Sequence, residues 1–363
     1  MSSFVARLAT AADNAAILAL MSQPQPSNGV QFAFERLPNY FDSASVTHQH
    51  PHTIVIEKQN DKRLVAMVNM GWREVFVDGH LQRIRYGADL RIDKQFQGGR
   101  VLMYINRAVR DCVQEDWYQS VILSANDKSR SALEGGRAGL PIYRSLGTIS
   151  THTITGRKAL FTPHKQIRRA QIADIPAMNA FIKQMAEHYQ FLPRYDFYQL
   201  THHHPYFNGL NIDDFLVLFD DEQLVGLVGL WNQKNFKQTR VVDYNRTVAM
   251  FRPIYNWWSR LTGGFVLPAK GQLVDYIALH SPLTHPKDSD SFRHLLHHAW
   301  LEVRQQQKAA MTLTLADTDP RLSVLADFKT IPLTAYQYAV AFKEPLLPSL
   351  DNQRIPYFES GRL

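Results

Sequence analysis

Cysteine is what this chain has least of: Cys112 stands alone among 363 residues. That excludes an internal disulfide and any zinc site built from several thiolates. Long apolar runs are missing too. The longest are segments such as Leu216–Phe219 and Val225–Leu230, far short of the ~18–20 residues a membrane-spanning helix needs. Met1–Ala12 has no basic region leading into an apolar stretch with a cleavage site, so no secretory leader is expected and a cytoplasmic location is. Dense basic tracts are absent as well. Lys and Arg number 40 against 33 Asp and Glu, a net charge of +7, yet only short pairs such as Arg168–Arg169 stand together. Such a surplus attracts anions of several kinds, including nucleic acid, membrane surfaces and phosphorylated cofactors. Without a basic arm, neither a nucleic-acid partner nor a membrane partner is expected.

What is present suits a folded chain of two domains. Hydrophobic residues make up 45% and charged residues 20%, an ordinary globular balance. One internal echo stands out. Val5–Asp13 and Ile167–Asp174 each carry an Arg in a short alternating segment and an Asp six residues later, followed by an apolar helical stripe. Each reads as a strand that opens a domain and enters a helix, with Thr10 and Asp13 at capping-box spacing and Pro176 at an early helical position. A strand followed by a capped helix is a common unit, so coincidence stays open beside duplication. The Gly- and Pro-containing stretch 155–166 supplies a linker. Domains are therefore expected at 1–157 and 165–345, with a tail at 346–363.

Periodicity gives the first half helices at 13–22, 37–43 and 98–115 and strands at 53–58, 64–77, 80–92, 119–124 and 148–154. Asp78-Gly79 marks a tight hairpin. The second half reads helix 174–187, strands 214–219, 223–231 and 272–280, helix 289–307, strand 311–315, helix 319–327 and strand 335–342. Both halves are mixed α/β: an antiparallel meander and then a strand–helix–strand crossover.

The richest stretch runs from Ala88 to Leu102. A strand carrying Leu90 and Ile92 ends in a loop with Gly98 and Gly99, and a helix starts at once with Val101 and Leu102. The first N–H groups of a helix lack intrahelical partners, and its dipole places positive charge there. Glycines let a phosphate approach, and Lys94 and Arg100 add charge suited to a pyrophosphate. A plain strand-to-helix turn would need the glycines only for geometry.

Here the sequence resembles the GNAT superfamily of acyl-CoA-dependent N-acyltransferases. In its Arg/Gln-x-x-Gly-x-Gly/Ala turn, Gln95 and Gly98 match, and Arg100 stands where a small residue is usual, with Gly99 beside it. Val5–Leu20 is similar to that family's first strand and helix. Asn126, Ala132, Tyr143 and Gly147 resemble its Asn…Ala…Tyr-x-x-x-Gly segment, with an insert ahead of Tyr143. The likeness covers roughly residues 4–154, and the second half matches in element order only.

The resemblance implies tandem GNAT-like units of mixed α/β fold. It also implies acetyl-CoA or another acyl-CoA as co-substrate, held by Leu90, Arg91, Ile92, Gln95, Gln97, Gly98, Gly99, Arg100, Val101 and Asn126. The reaction implied is direct acyl transfer to a small-molecule or peptide amine. Glu74 and Asp89, on central strands, are candidates to accept the amine's proton. A backbone N–H near Leu90–Ile92 is the candidate donor to the thioester oxygen, and the Tyr143 hydroxyl is the candidate donor to the departing thiolate. Glu74 and Asp89 can equally be ion-paired carboxylates among Arg73, Arg83, Arg85 and Arg91, and Tyr143 can be a packing residue.

The corresponding junction of the second half, Ala278–Phe292, has no glycine, carries Pro282 and Pro286, and places Asp288 and Asp290 where a phosphate would sit. A cofactor is not expected there. Tyr255, Trp257 and Trp258 are candidates to line an acceptor pocket, or to be core. His48, His50 and His52, His202–His204, and His294 with His298 at helical spacing lack the acidic residue of a His-Glu-x-x-His site, so no metal is expected. Cys112 reads as a buried small residue. A protein of the same fold that senses or binds acyl-CoA without turnover is the alternative, as a monomer or homodimer.

Overall fold

A computed structural model gives the fold and describes residues 4–24, 29–97, 100–114, 116–124, 140–158, 161–261 and 264–363. The first half contains β1 (Phe4–Leu8), α1 (Asn14–Met21), β2 (Val30–Glu35), α2 (Tyr40–Thr47), β3 (Thr53–Lys58), β4 (Leu64–Val77), β5 (His80–Ile92), α3 (Val101–Val113), β6 (Tyr118–Leu123) and β7 (Ile142–Arg157). The second contains β8 (Ile167–Arg169), α4 (Ile175–Met185), β9 (Tyr189–Gln190), β10 (Leu192–Pro193), β11 (Phe215–Asp220), β12 (Gln223–Trp231), β13 (Gln238–Tyr244) and α5 (Arg246–Leu261). It continues with β14 (Tyr276–Thr284), α6 (Ser289–Gln305), β15 (Ala310–Ala316), β16 (Phe328–Ala341) and β17 (Ile355–Pro356).

The two halves correspond strand for strand. Among the described residues one mixed sheet runs β1-β3-β4-β5-β6-β16-β7-β15-β14-β12-β11-β8. Read inward from either edge, the order is the same, except that the last strands are exchanged. β16, from the second half, pairs with β6, while β7, from the first, pairs with β15, and β7 and β16 pair with each other. Neither half closes its sheet without the other. Further clasps join them: the β2–β13 ribbon, where Arg240 grips Glu35 with two contacts of 2.7 and 2.9 Å, and β10, which pairs with β4.

Strand alternation sorts the core onto two faces. Ile54 and Ile56 of β3 face α3, whereas Val55 packs under α1 and α2. In the same way Leu216 of β11 faces α6, and Phe215 and Val217 lie with α4. Burial of each such side chain contributes roughly 1.5–3 kcal/mol. The Arg-to-Asp echo is a bidentate clasp in both copies. Arg7 meets Asp13 with two contacts of 2.8 Å, and Arg168 meets Asp174 at 2.6 and 2.7 Å. In each, the Asp also accepts the N–H of the residue three before it at 2.7 Å.

Several boundaries differ from the sequence expectation. The strands expected at 148–154 and 335–342 are the exchanged pair and run longer, because each is paired on both sides. The strand expected at 272–280 is displaced to Tyr276–Thr284, since the chain before it makes only an isolated bridge from Leu273 to Arg240. Residues Pro320–Asp327 form a 3-10 rather than an α-helix. β2, β13 and α5 were not expected. The Asp78-Gly79 turn has positive φ at both residues, 50° and 79°, as a primed hairpin turn requires.

Candidate active site

The sheet opens at its centre. β5 and β6 run parallel only from Arg85 to Gly87, paired with Tyr118 to Ser120, and then part. At the same point β5 bulges. Its register with β4 jumps between Arg91 opposite Met67 and Ala88 opposite Asn69, so Asp89 and Leu90 together oppose Val68. Asp89 has φ of 52°, a left-handed conformation rare for a residue with a Cβ. The bulge turns β5 away from β6 and leaves Leu90–Ile92 bordering a wedge that no strand of the described residues fills. Leu90 is 36% exposed.

Behind the bulge is a group of polar side chains drawn from distant parts of the chain. The Asp89 carboxylate, only 9% exposed, lies 3.6 Å from the Arg36 guanidinium and accepts the Tyr40 hydroxyl at 3.3 Å. Burial raises its pKa, but Arg36, Arg91 and Lys237 outweigh that and hold it below the usual carboxylate range. Lys237 donates to the main-chain oxygens of Leu363 at 2.7 Å and Gly361 at 3.2 Å. Burial, then Arg36, push its pKa well below the usual lysine value, with Asp89 opposing. His48, which also acts on Asp89, contacts the Tyr86 carbonyl at 3.0 Å and is brought down to about 3 by burial and Arg73. Burial also raises Tyr40. Of these groups the sequence singled out Asp89 and Arg91 for the site, and His48 only as one of the histidines weighed for a metal. Arg36, Tyr40 and Lys237 carry no local signal, because tertiary packing alone makes them neighbours.

The turn after β5 is braced by its own side chains. Asp93 accepts the Gln95 N–H at 2.9 Å, Arg63 reaches both Asp93 at 2.6 Å and the Gln95 side chain at 3.1 Å, and the Gln97 side chain donates to the Ile92 carbonyl at 3.1 Å. Gln95 therefore spends its amide oxygen on Arg63. Gly98, Gly99 and Asn126 lie outside the described residues. Arg100, exposed, occupies the N-cap of α3 with helical dihedrals and no side-chain capping bond, and Val101 opens the helix. α3, thirteen residues long, thus has no acidic residue in its first turn and no capping bond from the Arg100 side chain, so nothing in that turn neutralises the positive end of its dipole. A separate surface cleft of about 630 Å3 lies at the far end of α3, lined by Arg110, Asp111, Gln114 and Phe342 among others.

An opened central pair, a bulge at the opening and a helix starting beside it can be compared with known structures. The chain superposes on Saccharomyces cerevisiae N-myristoyltransferase with bound myristoyl-CoA at a TM-score of 0.59, with 13% identity over 98% of this chain and 85% of that one. A GCN5-related N-acetyltransferase from Sphaerobacter thermophilus gives 0.57, with 12% identity over 98% and 99%. The chain has the GNAT fold. No family model and no curated protein matches the sequence.

Within that GNAT fold the other sequence candidates fall away from the bulge. Glu74 pairs across the hairpin with Arg83, six residues before Asp89, which puts it roughly 20 Å along β5. Its carboxylate accepts Arg194 at 3.1 Å near the surface. Tyr143 lies on β7 in the row Arg85, Tyr118, Val340, Tyr143, at the closed end of the wedge. It is partly buried, edge-on against Tyr338, and desolvation raises its pKa to about 12 while a Tyr118 hydrogen bond opposes. Tyr255, Trp257 and Trp258, the candidates for an acceptor pocket or core, stand on the outer face of α5, 44%, 61% and 60% exposed. Burial raises Cys112. Among the described residues no cluster of His, Cys, Asp and Glu could hold a metal ion.

The second half of the fold repeats the wedge and fills it. β14 and β15 part after Ala278 and Thr312, and Ser281 and Pro282 together oppose Val228. Ser281 has φ of 41° and is the counterpart of Asp89. The Ser281 N–H, however, donates to Glu359 at 2.8 Å, and Glu359 also accepts the Tyr195 and Tyr357 hydroxyls at 3.0 Å each. The Ser360 hydroxyl lies 3.5 and 3.3 Å from the Leu279 and Thr312 carbonyls, one on each parted strand. α6 is capped, with Asp288 accepting the Ser291 N–H at 2.9 Å.

Proposed function

We propose that the protein is an N-acyltransferase that moves an acyl group from acyl-CoA to a primary amine in the first wedge. The observation that carries this reading is the contrast just described. The parting of β5 from β6 at the Asp89 bulge, beside an α3 start without a side-chain cap, is the arrangement the second unit fills with protein. The thioester arm would lie between the parted strands, with its oxygen toward the Leu90–Ile92 backbone. The diphosphate would sit at the turn from Gln97 to Val101, where α3's dipole, Lys94 and Arg100 favour negative charge.

The chemistry then needs a proton acceptor. In its neutral form Lys237 would satisfy both main-chain oxygens with its two hydrogens and keep its lone pair for the proton released when the amine attacks the thioester carbon. Asp89, held ionised by Arg36 and Arg91, stabilises the ammonium that Lys237 becomes. As the carbon–sulfur bond breaks, the thiolate takes the proton from Lys237 and the site is restored. Glu74 and Tyr143, placed elsewhere, are given no part in this step.

The test is calorimetry with acetyl-CoA and myristoyl-CoA, followed by thiol release over a panel of small amines and peptide N-termini. Binding together with amine-dependent release supports the transferase. Binding without release on any amine assigns the chain to acyl-CoA sensing instead. Absence of binding overturns both readings.

A further inference from the structure

We infer that α5 (Arg246–Leu261) is a membrane-surface helix, lying flat in the headgroup region of a bilayer that contains anionic lipid. Its amphipathicity is inverted relative to the fold. At about 100° per residue, Trp257, Met250, Leu261, Ile254 and Phe251 form one continuous stripe some ~120° wide. They are exposed by 61%, 66%, 65%, 67% and 55% respectively. The face turned to the protein is polar: Asn256 and Ser259 are the buried residues. Asn256 clasps the Leu267 backbone with both its amide atoms at 2.8 and 2.9 Å, and the Ser259 carbonyl accepts the Gly264 N–H at 2.7 Å. The helix is thus fastened by its polar side, and Met250, Phe251, Ile254, Trp257 and Leu261 belong to none of the core clusters of the described residues. A contiguous apolar stripe of this size on a folded chain marks a contact surface.

Charge selects the occupant. The helix carries Arg246, Arg252 and Arg260 and no acidic residue. Arg246 and Arg260 stand at one border of the stripe and have no acidic partner among the described residues. A second copy docking by two-fold symmetry would bring like arginines together, whereas anionic headgroups complement them. Sixteen residues with an aromatic-rich apolar face and a cationic border suit an in-plane interfacial helix, and the length is too short to span. No helix of the described residues is long and apolar enough to cross a membrane. This revises the expectation, drawn from charge dispersion, that no membrane partner exists. It does not depend on the acyltransferase reading.

The experiment uses the full chain and vesicles of phosphatidylcholine alone or mixed equally with phosphatidylserine, read by co-sedimentation. Expected is binding to the mixed vesicles that weakens as salt rises. Trp257→Ser should weaken it on the order of tenfold, and adding Ile254→Ser on the order of tenfold again. Arg246→Ser with Arg260→Ser should abolish the preference for the anionic mixture. Because these side chains are exposed, each variant should keep the parent's melting temperature. Failure of the parent to bind either vesicle, or equal binding by the Trp257→Ser/Ile254→Ser variant, overturns the proposal. So does a concentration-dependent dimer in sedimentation velocity that the same variant dissolves, which would give the stripe to a second copy.

Discussion

The two wedges start from the same geometry and end in opposite states. Asp89 and Ser281 occupy the same bulge with the same rare positive φ, and both central strand pairs part just beside it. In the second wedge the chain supplies its own ligands: Glu359 meets the bulge N–H, Ser360 reaches both parted strands, and Asp288 caps the following helix. In the first, cations gather behind the bulge and the helix start carries no side-chain cap. A conformation costing of order 1–3 kcal/mol persists where surrounding structure fixes it. Its retention on both sides shows that the bulge belongs to the architecture, while occupancy of the wedge is what distinguishes the two halves.

That contrast is broken most directly at Lys237. Lys237→Met should lower amine-dependent thiol release on the order of a hundredfold or more, while calorimetry shows acyl-CoA affinity within a small factor of the parent. A release rate near the parent's would remove Lys237 from the chemistry. Next in size is the turn. Gly98→Phe should weaken acyl-CoA binding on the order of tenfold to a hundredfold by blocking the approach of the diphosphate to the backbone, with little change in melting temperature. Asp288→Ala, at the matching place in the second half, should cost stability and leave acyl-CoA affinity unchanged. If the two variants affected binding equally, the assignment of the first wedge as the site would fall.

Much of this could be read from the chain. Alternation placed β3, β4, β5 and β12, and helical period with the flanking turn placed α3 and α6, because each buries one face of a regular pattern. The bulge itself was hidden, since Ala88–Ile92 reads as an unbroken strand. The exchange of β7 and β16 was hidden for another reason: a two-sided strand carries no mark of which neighbours it will take. Lys237 lies in the polar stretch between β12 and β13, with nothing periodic around it. Residues 355–363 read as a tail because their role exists only once the second wedge has formed. α5 was missed because the helix contains Pro253 and its apolar stripe matches no core face.

The plug of the second wedge can be removed. Glu359 accepts three hydrogen bonds from inside the core, so Glu359→Ala leaves the Ser281 N–H and two tyrosine hydroxyls without their partner and should cost about 3 kcal/mol in denaturant unfolding. Burial raises the pKa of Glu359, against the Ser281 N–H and Arg362. The folded state therefore holds that proton more tightly than the unfolded chain. The associated stability is full at low pH and declines as pH rises through the folded pKa. Glu359→Gln, which stays neutral, should lack that decline.

The smallest effect separates what the halves share from what divides them. Asp13 and Asp174 make the same clasp, and their pKa values are lowered chiefly by the hydrogen bonds from Arg7 and Arg168, against burial. For a carboxylate depressed on folding, the stabilisation is present above its unfolded pKa and fades as pH falls through its folded one. Asp13→Asn and Asp174→Asn should each cost about 1 kcal/mol at neutral pH, and the cost should shrink in acid below the ordinary carboxylate range. Because the clasps lie at corresponding places in both units, the two variants should behave alike in urea titrations across pH, and neither should alter acyl-CoA affinity. An unequal pair would mean that the divergence between the halves reaches beyond the wedges into the entry of each domain.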